Sequence, residues 1–295
     1  MTEIFGVPTQ ALFGQLLIGL INGSFYALLS LGLAVIFGLL NIINFTHGAQ
    51  YMMGAFCAWF LLNKLGLNYW WALLLVPVIM GATGVLIERL MLARLYQLDH
   101  LYGLLLTFGL ALIIQGLFRN HFGSSGLPYR IPAELTGAQN LGFMTLPNYR
   151  AWVIVFSLVV CLGTWWVIER TKLGAYLRAA TENPTLVRAF GVNVPRMITL
   201  TYGFGVGLAA LAGVLAAPIY QVNPLMGADL IIVVFAVVVI GGMGSIMGSI
   251  VTGFGVGVIE GLTKVFYPEA SNTVIFVIMA IVLLVKPAGL FGRAQ

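Results

Sequence analysis

The residues best suited to handling a polar solute lie together in one short stretch of an otherwise apolar sequence, NIINFTHGAQ at positions 41–50. This stretch carries amide, hydroxyl and imidazole side chains at Asn41, Asn44, Thr46, His47 and Gln50. In an apolar environment each of these groups needs a hydrogen-bond partner, which can be another helix, a backbone carbonyl or a passing solute. A bond between helices is enough to explain any one of them. Such a cluster, however, favours a solute path or gate, and it suits a neutral polar solute better than an ion.

A second candidate stretch is rich in glycine. The sequence GGMGS at positions 241–245 interrupts an apolar run in which a continuous helix would be expected. A broken helix inside a membrane is tolerated where it faces protein or a water-filled path, and paired breaks in the two halves of a transporter indicate a site near the midplane. If the solute is a zwitterion, we expect its carboxylate to bind backbone N–H groups at this break, because no basic side chain lies at that depth. The predicted path or gate residues are therefore Asn41, Asn44, His47, Gln50, Gly241, Gly242, Gly244 and Ser245.

The sequence offers no constellation of residues for catalysis. The three histidines, His47, His100 and His121, each lack a second ligand-type residue at helical metal-binding spacing, and no Gly-x-Ser-x-Gly motif occurs. A phosphate loop requires a lysine that follows a glycine, and none of the lysines does. We therefore expect neither enzymatic activity nor a cofactor or metal in this chain. Any ATP must be hydrolysed by another polypeptide.

An ion-coupled carrier would need an ionisable side chain held inside the membrane. Asp229 and Glu260 are the nearest candidates, but each lies at the edge of its apolar run, where the side chain can reach the lipid headgroups. We interpret both as interfacial residues. The carrier stays an alternative, as do a passive channel and a purely structural membrane subunit.

The elements that must position these residues are membrane helices. Of 295 residues, 60% are hydrophobic and 8% are charged, whereas soluble domains are about one quarter charged. A helix needs roughly 20 apolar residues to cross the hydrocarbon. The candidate crossings, some of them short or broken by glycine, are 12–40, 45–62, 69–87, 101–118, 151–168, 197–217, 230–240, 244–259 and 273–285. The predicted fold is an all-α polytopic integral membrane protein, a bundle of eight or nine transmembrane helices in one domain over residues 1–295, with broken helices near the midplane.

The distribution of basic residues predicts the orientation, because lysine and arginine in short loops are retained on the cytoplasmic side. The densest basic cluster lies at 169–196, so we place this loop inside. If successive spans alternate in direction on either side of this loop, nine basic residues lie inside and five outside. The N-terminus is then external and the C-terminus cytoplasmic. These residues are spread over loops, which argues against nucleic-acid binding. The turn-rich segment 119–150 becomes an external loop, either a connector or a docking surface.

The cytoplasmic loop predicts one short helix. Asn183 suits the N-cap, Pro184 the first helical position and Gly191 the left-handed conformation that ends a helix, which gives a helix from Pro184 to Phe190. Its apolar residues Leu186, Val187 and Phe190 share one face. An apolar patch at the cytosolic surface indicates docking of a partner. The alternative is that this patch folds back onto the chain's own spans.

Four motifs in this order resemble those of permeases in bacterial ATP-driven importers of branched-chain amino acids. NIINFTHGAQYMMGAF is similar to their Asn-Phe-Ala-His-Gly signature, RAATENPTLVRAFGVNVPR to their cytoplasmic loop, VIGGMGSIMGSIVTGFGVGVIE to their glycine-rich late segment and KPAGLFGR to their closing motif. The resemblance covers nearly the whole chain. It departs from the family at two positions, because Thr46 and Val187 stand where alanine is expected.

The resemblance implies a subunit of the inner membrane that forms half of a pore. Its partners would be a second, related permease chain, two cytoplasmic ATPases that bind ATP and magnesium, and a periplasmic substrate-binding protein. Asn44, His47 and Gly48 match the first signature. By the same resemblance and by the apolar patch, the ATPase-coupling residues are expected to be Arg178, Ala179, Glu182, Leu186, Val187, Ala189, Phe190 and Gly191. Relatives of this pattern also carry urea, short amides and other neutral or aromatic acids, so the expected substrate, a branched-chain or hydrophobic amino acid, has these alternatives.

Overall fold

The computed structural model describes residues 3–4, 7–40 and 43–292, and within them the chain is mostly helical. Helices dominate because a chain in lipid must satisfy its backbone hydrogen bonds internally. The helices are α1 Thr9–Leu40, α2 Thr46–Leu65, α3 Tyr69–Leu90, α4 His100–Phe122, α5 Asn148–Arg170, α6 Lys172–Glu182, α7 Pro184–Ala189, α8 Val194–Tyr220, α9 Ala228–Gly241, α10 Ile246–Phe266 and α11 Val274–Val285. Two short antiparallel hairpins join β1 Glu3–Ile4 to β2 Val7–Pro8 and β3 Ala138–Asn140 to β4 Thr145–Pro147.

Every predicted apolar run corresponds to a helix, which confirms the all-α membrane class. Within the described ranges, six helices are long and apolar enough to cross a membrane: α1, α3 with the turn after it, α4, α5, α8 and α10. Helices α9 and α11, with 14 and 12 residues, are shorter than the roughly 20 that a full crossing takes. The predicted count of eight or nine crossings therefore stays a prediction.

The chain folds into two compact units. Unit 1 comprises residues 1–30, 131–162 and 233–295, and unit 2 comprises residues 31–130 and 163–232. In unit 1, α10 lies backbone to backbone with the first part of α1, because Gly253, Gly257 and Gly261 face that helix. The four-residue glycine spacing is thus a close-packed helix interface, as small residues at this interval allow.

Helix α8 is the centre of unit 2 and packs against both α2 and α3. The approach is close at small residues: a Cβ on Gly54 of α2 would lie 2.5 Å from the Cα of Ala210, and a Cβ on Gly207 would lie 3.0 Å from the carbonyl oxygen of Pro77 in α3. Packed backbones of this kind resist smooth deformation. These three helices therefore position the polar residues of the unit.

The segment predicted as an external loop is partly ordered by short elements. Helix α4 extends to Phe122, a 3-10 turn covers Ala133–Leu135, the β3–β4 hairpin follows, and α5 begins at Asn148. In unit 2, Leu127 pairs with Val222 through two backbone hydrogen bonds of 2.8 and 2.9 Å. The beginning of this loop is thereby fixed to the chain that leaves α8.

Candidate functional site

The polar stretch before α2 is held in place by α4. The Thr107 hydroxyl accepts a hydrogen bond from the Phe45 amide at 3.3 Å and lies 3.2 Å from the Ile43 carbonyl, to which it can donate. The Thr46 hydroxyl donates to the Thr107 carbonyl at 3.0 Å. Thr107 therefore fixes the start of α2 to a neighbouring helix. Asn41 lies outside the described residues.

Asn44, His47 and Gln50 are all buried, with 1%, 0% and 0% of their surface exposed. The Asn44 amide nitrogen donates to Gln50 Oε1 at 3.4 Å, and the Gln50 amide nitrogen donates to the Tyr202 hydroxyl at 3.5 Å. Both distances exceed the usual 2.7–3.2 Å range, so these bonds are weak. The Asn44 Oδ1 atom has no hydrogen-bond partner among the described residues. The structure brings three predicted residues together in one buried group that keeps hydrogen-bonding capacity.

His47, in the first turn of α2, faces α1. A Cβ on Gly32 would be 3.0 Å from the imidazole Cε1 of His47 and 3.1 Å from its Nε2, so a larger residue at position 32 would displace the ring. Gly32 also faces the carbonyl oxygen of Gly205 in α8. The imidazole is thus confined where the backbones of α1 and α8 approach each other.

The sequence interpretation missed a buried carboxyl group next to this cluster. Glu88, near the end of α3, is 2% exposed and accepts hydrogen bonds from the Tyr96 hydroxyl at 2.6 Å and from the Thr199 hydroxyl at 2.7 Å. Burial, and to a lesser extent the hydrogen bond to Glu88, raises the pKa of Tyr96 well above its usual value, so the phenol keeps its proton. Glu88 lay one residue beyond the predicted apolar run. Its spacing of four from Gly84, which faces Val206 of α8, was the available signal that it points inward.

The interpretation of Glu260 as an interfacial residue stays a prediction. Its side chain is buried in α10, accepts a hydrogen bond from the Tyr26 hydroxyl at 2.7 Å and forms an ion pair with Lys264. The apolar run ended near it because of its charge, whereas the helix continues to Phe266. Asp229, in contrast, is exposed.

The cluster of Asn44, His47 and Gln50 lies toward the end of unit 2 that carries the loop 169–196. The Thr181 hydroxyl of α6 is 3.3 Å from the Gly38 carbonyl near the end of α1. Tyr202 lies eight residues after Val194, the first residue of α8, which is about 12 Å along a helix axis. The loop and the buried polar group are therefore separated by about two helical turns.

The glycine-rich stretch is a tight turn between two helices. Helix α9 ends at Gly241, α10 begins at Ile246, and Gly242 and Gly244 have φ angles of 103° and 80°. The Gly242 amide donates to the Val238 carbonyl at 2.9 Å, and the Ser245 side chain accepts from the Gly248 amide at 3.1 Å. The predicted break exists. The Gly242 and Ser245 amides are bound within the protein, and the binding of a carboxylate at this break stays a prediction.

The closing motif of the chain covers this turn. The Leu290 amide donates to the Ile240 carbonyl at 2.8 Å, and the Phe291 amide donates to the Gly241 carbonyl at 3.0 Å. These bonds satisfy carbonyl groups that the end of a helix leaves open. Gly241, Gly242, Gly244 and Ser245 belong to unit 1, whereas Asn44, His47 and Gln50 belong to unit 2. A single midplane site shared by both groups stays a prediction.

The predicted helix in the loop 169–196 is α7, one residue shorter than expected. The Asn183 side chain accepts from the Leu186 amide at 2.9 Å, and Gly191 has φ 82°, so the predicted N-cap and the predicted left-handed glycine are confirmed. Helix α6 precedes it and was not predicted. Its buried residues Gly174, Leu177 and Ala180 recur every three positions within a charged segment, which makes a weak pattern.

The three apolar side chains of the predicted helix do not form one exposed patch. Val187 is 7% exposed and packs between Ala180 of α6 and Val194 of α8, whereas Leu186 and Phe190 are 54% and 79% exposed. The alternative of folding back is therefore correct for Val187, because this side chain fills the space between α6 and α8. Of the other expected coupling residues, Ala179, Glu182, Ala189 and Gly191 are exposed. Arg178 donates to the Ile168 carbonyl at 2.7 Å and pairs with Glu169, so it holds α6 to the end of α5.

Comparison with known proteins identifies the family. The family described as "Branched-chain amino acid transport system / permease component" matches residues 15–283. The high-affinity branched-chain amino acid transport system permease protein LivH of Escherichia coli K12 is 29% identical, over 100% of this chain and 99% of the relative. The corresponding protein BraD of Pseudomonas aeruginosa is 30% identical over 95% of this chain and 96% of the relative.

A probable branched-chain amino acid transport permease protein of Methanocaldococcus jannaschii is 27% identical over 92% of this chain and 90% of the relative. No solved structure matches the chain. The family match spans most of the sequence and includes every helix that contributes a residue to the buried polar group. The chain belongs to the family of permease components of branched-chain amino acid transport systems.

Proposed function

We propose that this chain moves branched-chain or other hydrophobic amino acids across a bacterial inner membrane, using ATP that partner ATPase subunits bind and hydrolyse. An external binding protein delivers the solute, and a second, related permease chain completes the pore. The observation that carries the proposal is that α7 is exposed and capped, while Tyr202, which contacts the buried polar group of Asn44, His47 and Gln50, lies about two turns into α8, the following helix. The names of the full-length relatives supply the substrate class. Urea, short amides or aromatic acids are the alternative cargo.

The proposed orientation has an external N-terminus and a cytoplasmic C-terminus. The contact between Thr181 and Gly38 supports it, since the end of α1 and the basic loop 169–196 then lie on the same side of the membrane. Lysine and arginine retained in that loop favour the cytoplasmic side.

In the proposed coupling mechanism, an ATPase subunit contacts the exposed end of α7. Phe190, with 79% of its surface exposed, is the apolar side chain best placed to enter a groove on the partner, and Leu186 lies beside it. Val187 instead holds α7 to α6 and α8. A push on Phe190 is therefore transmitted to the start of α8 through a packed contact. The packed helices then move together as a rigid body.

The coupling role is tested by comparing Phe190→Asp with Val187→Ala in the complex with its ATPase. Phe190→Asp should abolish the stimulation of ATP hydrolysis by loaded binding protein and leave Tm unchanged, because the side chain is exposed. Val187→Ala should lower the free energy of unfolding by roughly 1–3 kcal/mol, because it removes buried methyl groups. Full stimulation in the Phe190→Asp complex would remove the basis for this assignment.

In the proposed gate, Asn44 presents its unpartnered Oδ1 atom to the solute's ammonium group. We expect Asn44→Ala to lower uptake per folded complex roughly tenfold, about the value of one hydrogen bond. Asn63→Ala is the matched control, since Asn63 is an exposed asparagine on α2, the helix that Asn44 precedes. If Asn44→Ala lowers stability and leaves uptake per folded complex unchanged, Asn44 is structural.

The ion-coupled carrier is the second candidate function, and the burial of Glu88 and Glu260 favours it, because intramembrane carboxyl groups commonly serve ion pathways. Both carboxyl groups already accept hydrogen bonds from hydroxyl groups of the chain itself. A carrier predicts uptake driven by an ion gradient without ATP, which separates it from the importer.

A further inference from the structure

Glu88 is held by two side chains from different parts of unit 2. Thr199 Oγ1 of α8 is 2.7 Å from Glu88 Oε2, and Tyr96 Oη, in the chain after α3, is 2.6 Å from Glu88 Oε1. A buried carboxyl group is costly unless hydrogen bonds replace its lost hydration. Such bonds are strong and leave an unsatisfied acceptor if one partner is removed. The Thr199 hydroxyl therefore fixes α8 to the end of α3, and the Tyr96 hydroxyl holds the Glu88 side chain in place.

The position of this contact along α8 gives it mechanical importance. Helix α8 starts at Val194, four residues after Phe190, and Val194 packs directly on Val187 of the coupling helix α7. Thr199 lies five residues further on, in the second turn. Deeper in the unit, α3 and α8 are packed at Gly203, whose added Cβ would lie 2.9 Å from the Gly81 carbonyl oxygen. The Glu88–Thr199 bond thus extends the α3–α8 contact by one turn toward the coupling helix.

The same face of α8 reaches the buried polar group. Tyr202 follows Thr199 by three residues, and residues at this spacing are neighbours on a helix surface. The Tyr202 hydroxyl accepts from Gln50, which in turn accepts from Asn44. A displacement of the first three turns of α8 therefore changes the contact with Glu88 and the contact with Gln50 together.

We infer that Glu88 is a positioning residue for energy coupling. It ties the first turns of α8 to α3, so that a push on the coupling helix moves the packed helices and the Asn44 group together. An untied α8 would bend under the same push. The inference rests on the proposed function, in which an ATPase pushes α7. Without the tie, ATP hydrolysis continues but moves less solute. The quantity that Glu88 controls is the number of solute molecules carried per ATP hydrolysed.

The experiment uses the complete complex of this chain with its partner subunits, reconstituted in liposomes with the binding protein and labelled leucine. Thr199→Val removes the hydroxyl at nearly constant volume, and Thr199→Ser keeps it. We expect Thr199→Val and Glu88→Gln to lower the ratio of leucine imported to ATP hydrolysed at least about fivefold, the lower end of couplings between protein sites. Thr199→Ser should restore the ratio.

Tyr26→Phe provides the matched control, because it removes a tyrosine hydroxyl from the other buried carboxyl group, Glu260, at a similar distance of 2.7 Å. It should lower Tm and leave the ratio unchanged. A ratio that stays at the wild-type value in folded Thr199→Val and Glu88→Gln complexes would overturn the inference, as would an equal fall in Tyr26→Phe. Failure of the wild-type complex to use ATP for uptake would instead refute the proposed function.

Discussion

At the scale of single residues, two buried carboxyl groups are each bound by a tyrosine hydroxyl: Glu88 by Tyr96 and Glu260 by Tyr26. Removing one partner from such a pair leaves a polar group without compensation in an apolar environment, which costs more than the bond contributed. The two sites differ in what surrounds them. Glu260 also pairs with Lys264 one turn away, whereas Glu88 connects to α8 through Thr199.

The first prediction concerns the stability of the Glu260 site. Tyr26→Phe should lower the free energy of unfolding by about 1–3 kcal/mol, because the Glu260 carboxyl loses its hydrogen bond from the phenol. Thermal unfolding of the purified chain in detergent measures the effect. Tyr102→Phe is the control on an exposed tyrosine and should leave Tm unchanged. Equal Tm values for the two variants would show that the Tyr26 bond contributes nothing.

Residue types predicted the buried polar group but not the buried carboxyl. Asn44, His47 and Gln50 stood out in the sequence because polar groups inside an apolar run must find partners. Glu88 lay at a predicted helix end beside Arg89, where a charged pair normally indicates solvent. Its burial depends on Thr199, which is more than one hundred positions away in the chain. No local pattern contains that contact.

At the scale of elements, α1 and α10 are held together by glycines that allow backbone contact. An added Cβ on Gly257 would collide with the backbone of Gly19 and Gly23, whereas an added Cβ on Gly255 would meet nothing within 4 Å. Two glycines of the same helix thus differ only in the face they occupy. The interface depends on the first and not on the second.

The second prediction compares these two positions. Gly257→Ala should destabilise the chain by roughly 1–3 kcal/mol, because the extra methyl group forces the helices apart. Gly255→Ala should be neutral or add up to about 1 kcal/mol, because alanine favours the helix. Thermal unfolding of both variants in one detergent is the measurement. Similar destabilisation by both would contradict close packing of α1 on α10.

The third prediction concerns the turn between α9 and α10. Gly242 has φ 103°, and a Cβ there would lie 2.5 Å from the Gly292 amide nitrogen. Gly66 also has a positive φ, 67°, but nothing lies within 4 Å of its added Cβ. Gly66→Ala should therefore cost about 1–2 kcal/mol for backbone strain alone, and Gly242→Ala should cost clearly more. If Tm falls equally in the two variants, the closing segment does not pack on the turn.

Helix positions were predictable from apolar runs, and helix ends in the loop 169–196 from Asn183 and Gly191. The orientation of α7 was not. Helical spacing placed Leu186, Val187 and Phe190 on one face, but a six-residue helix presents that face partly to α6 and partly to solvent. Which of the three is buried depends on α6, whose own pattern is weak.

At the scale of the whole molecule, the exposed surface is what a lipid environment requires. In unit 2, Leu74 and Val78 of α3 and Leu105 and Leu112 of α4 are each more than half exposed. Large contiguous apolar surfaces of this kind are a liability in water. They fit a multi-pass membrane protein, and the same surface is available for the second permease chain that we propose. Composition made this class predictable, while α9 and α11 leave the number of crossings open because their lengths fall below a full span.

The most direct test of the account is leucine uptake into liposomes that contain the purified complex, with ATP supplied on the side of the ATPase subunits and ionophores present to collapse every ion gradient. The account predicts that uptake persists under these conditions, requires loaded binding protein and stops when ATP is withheld. Uptake driven by an ion gradient in liposomes that contain this chain alone would contradict it.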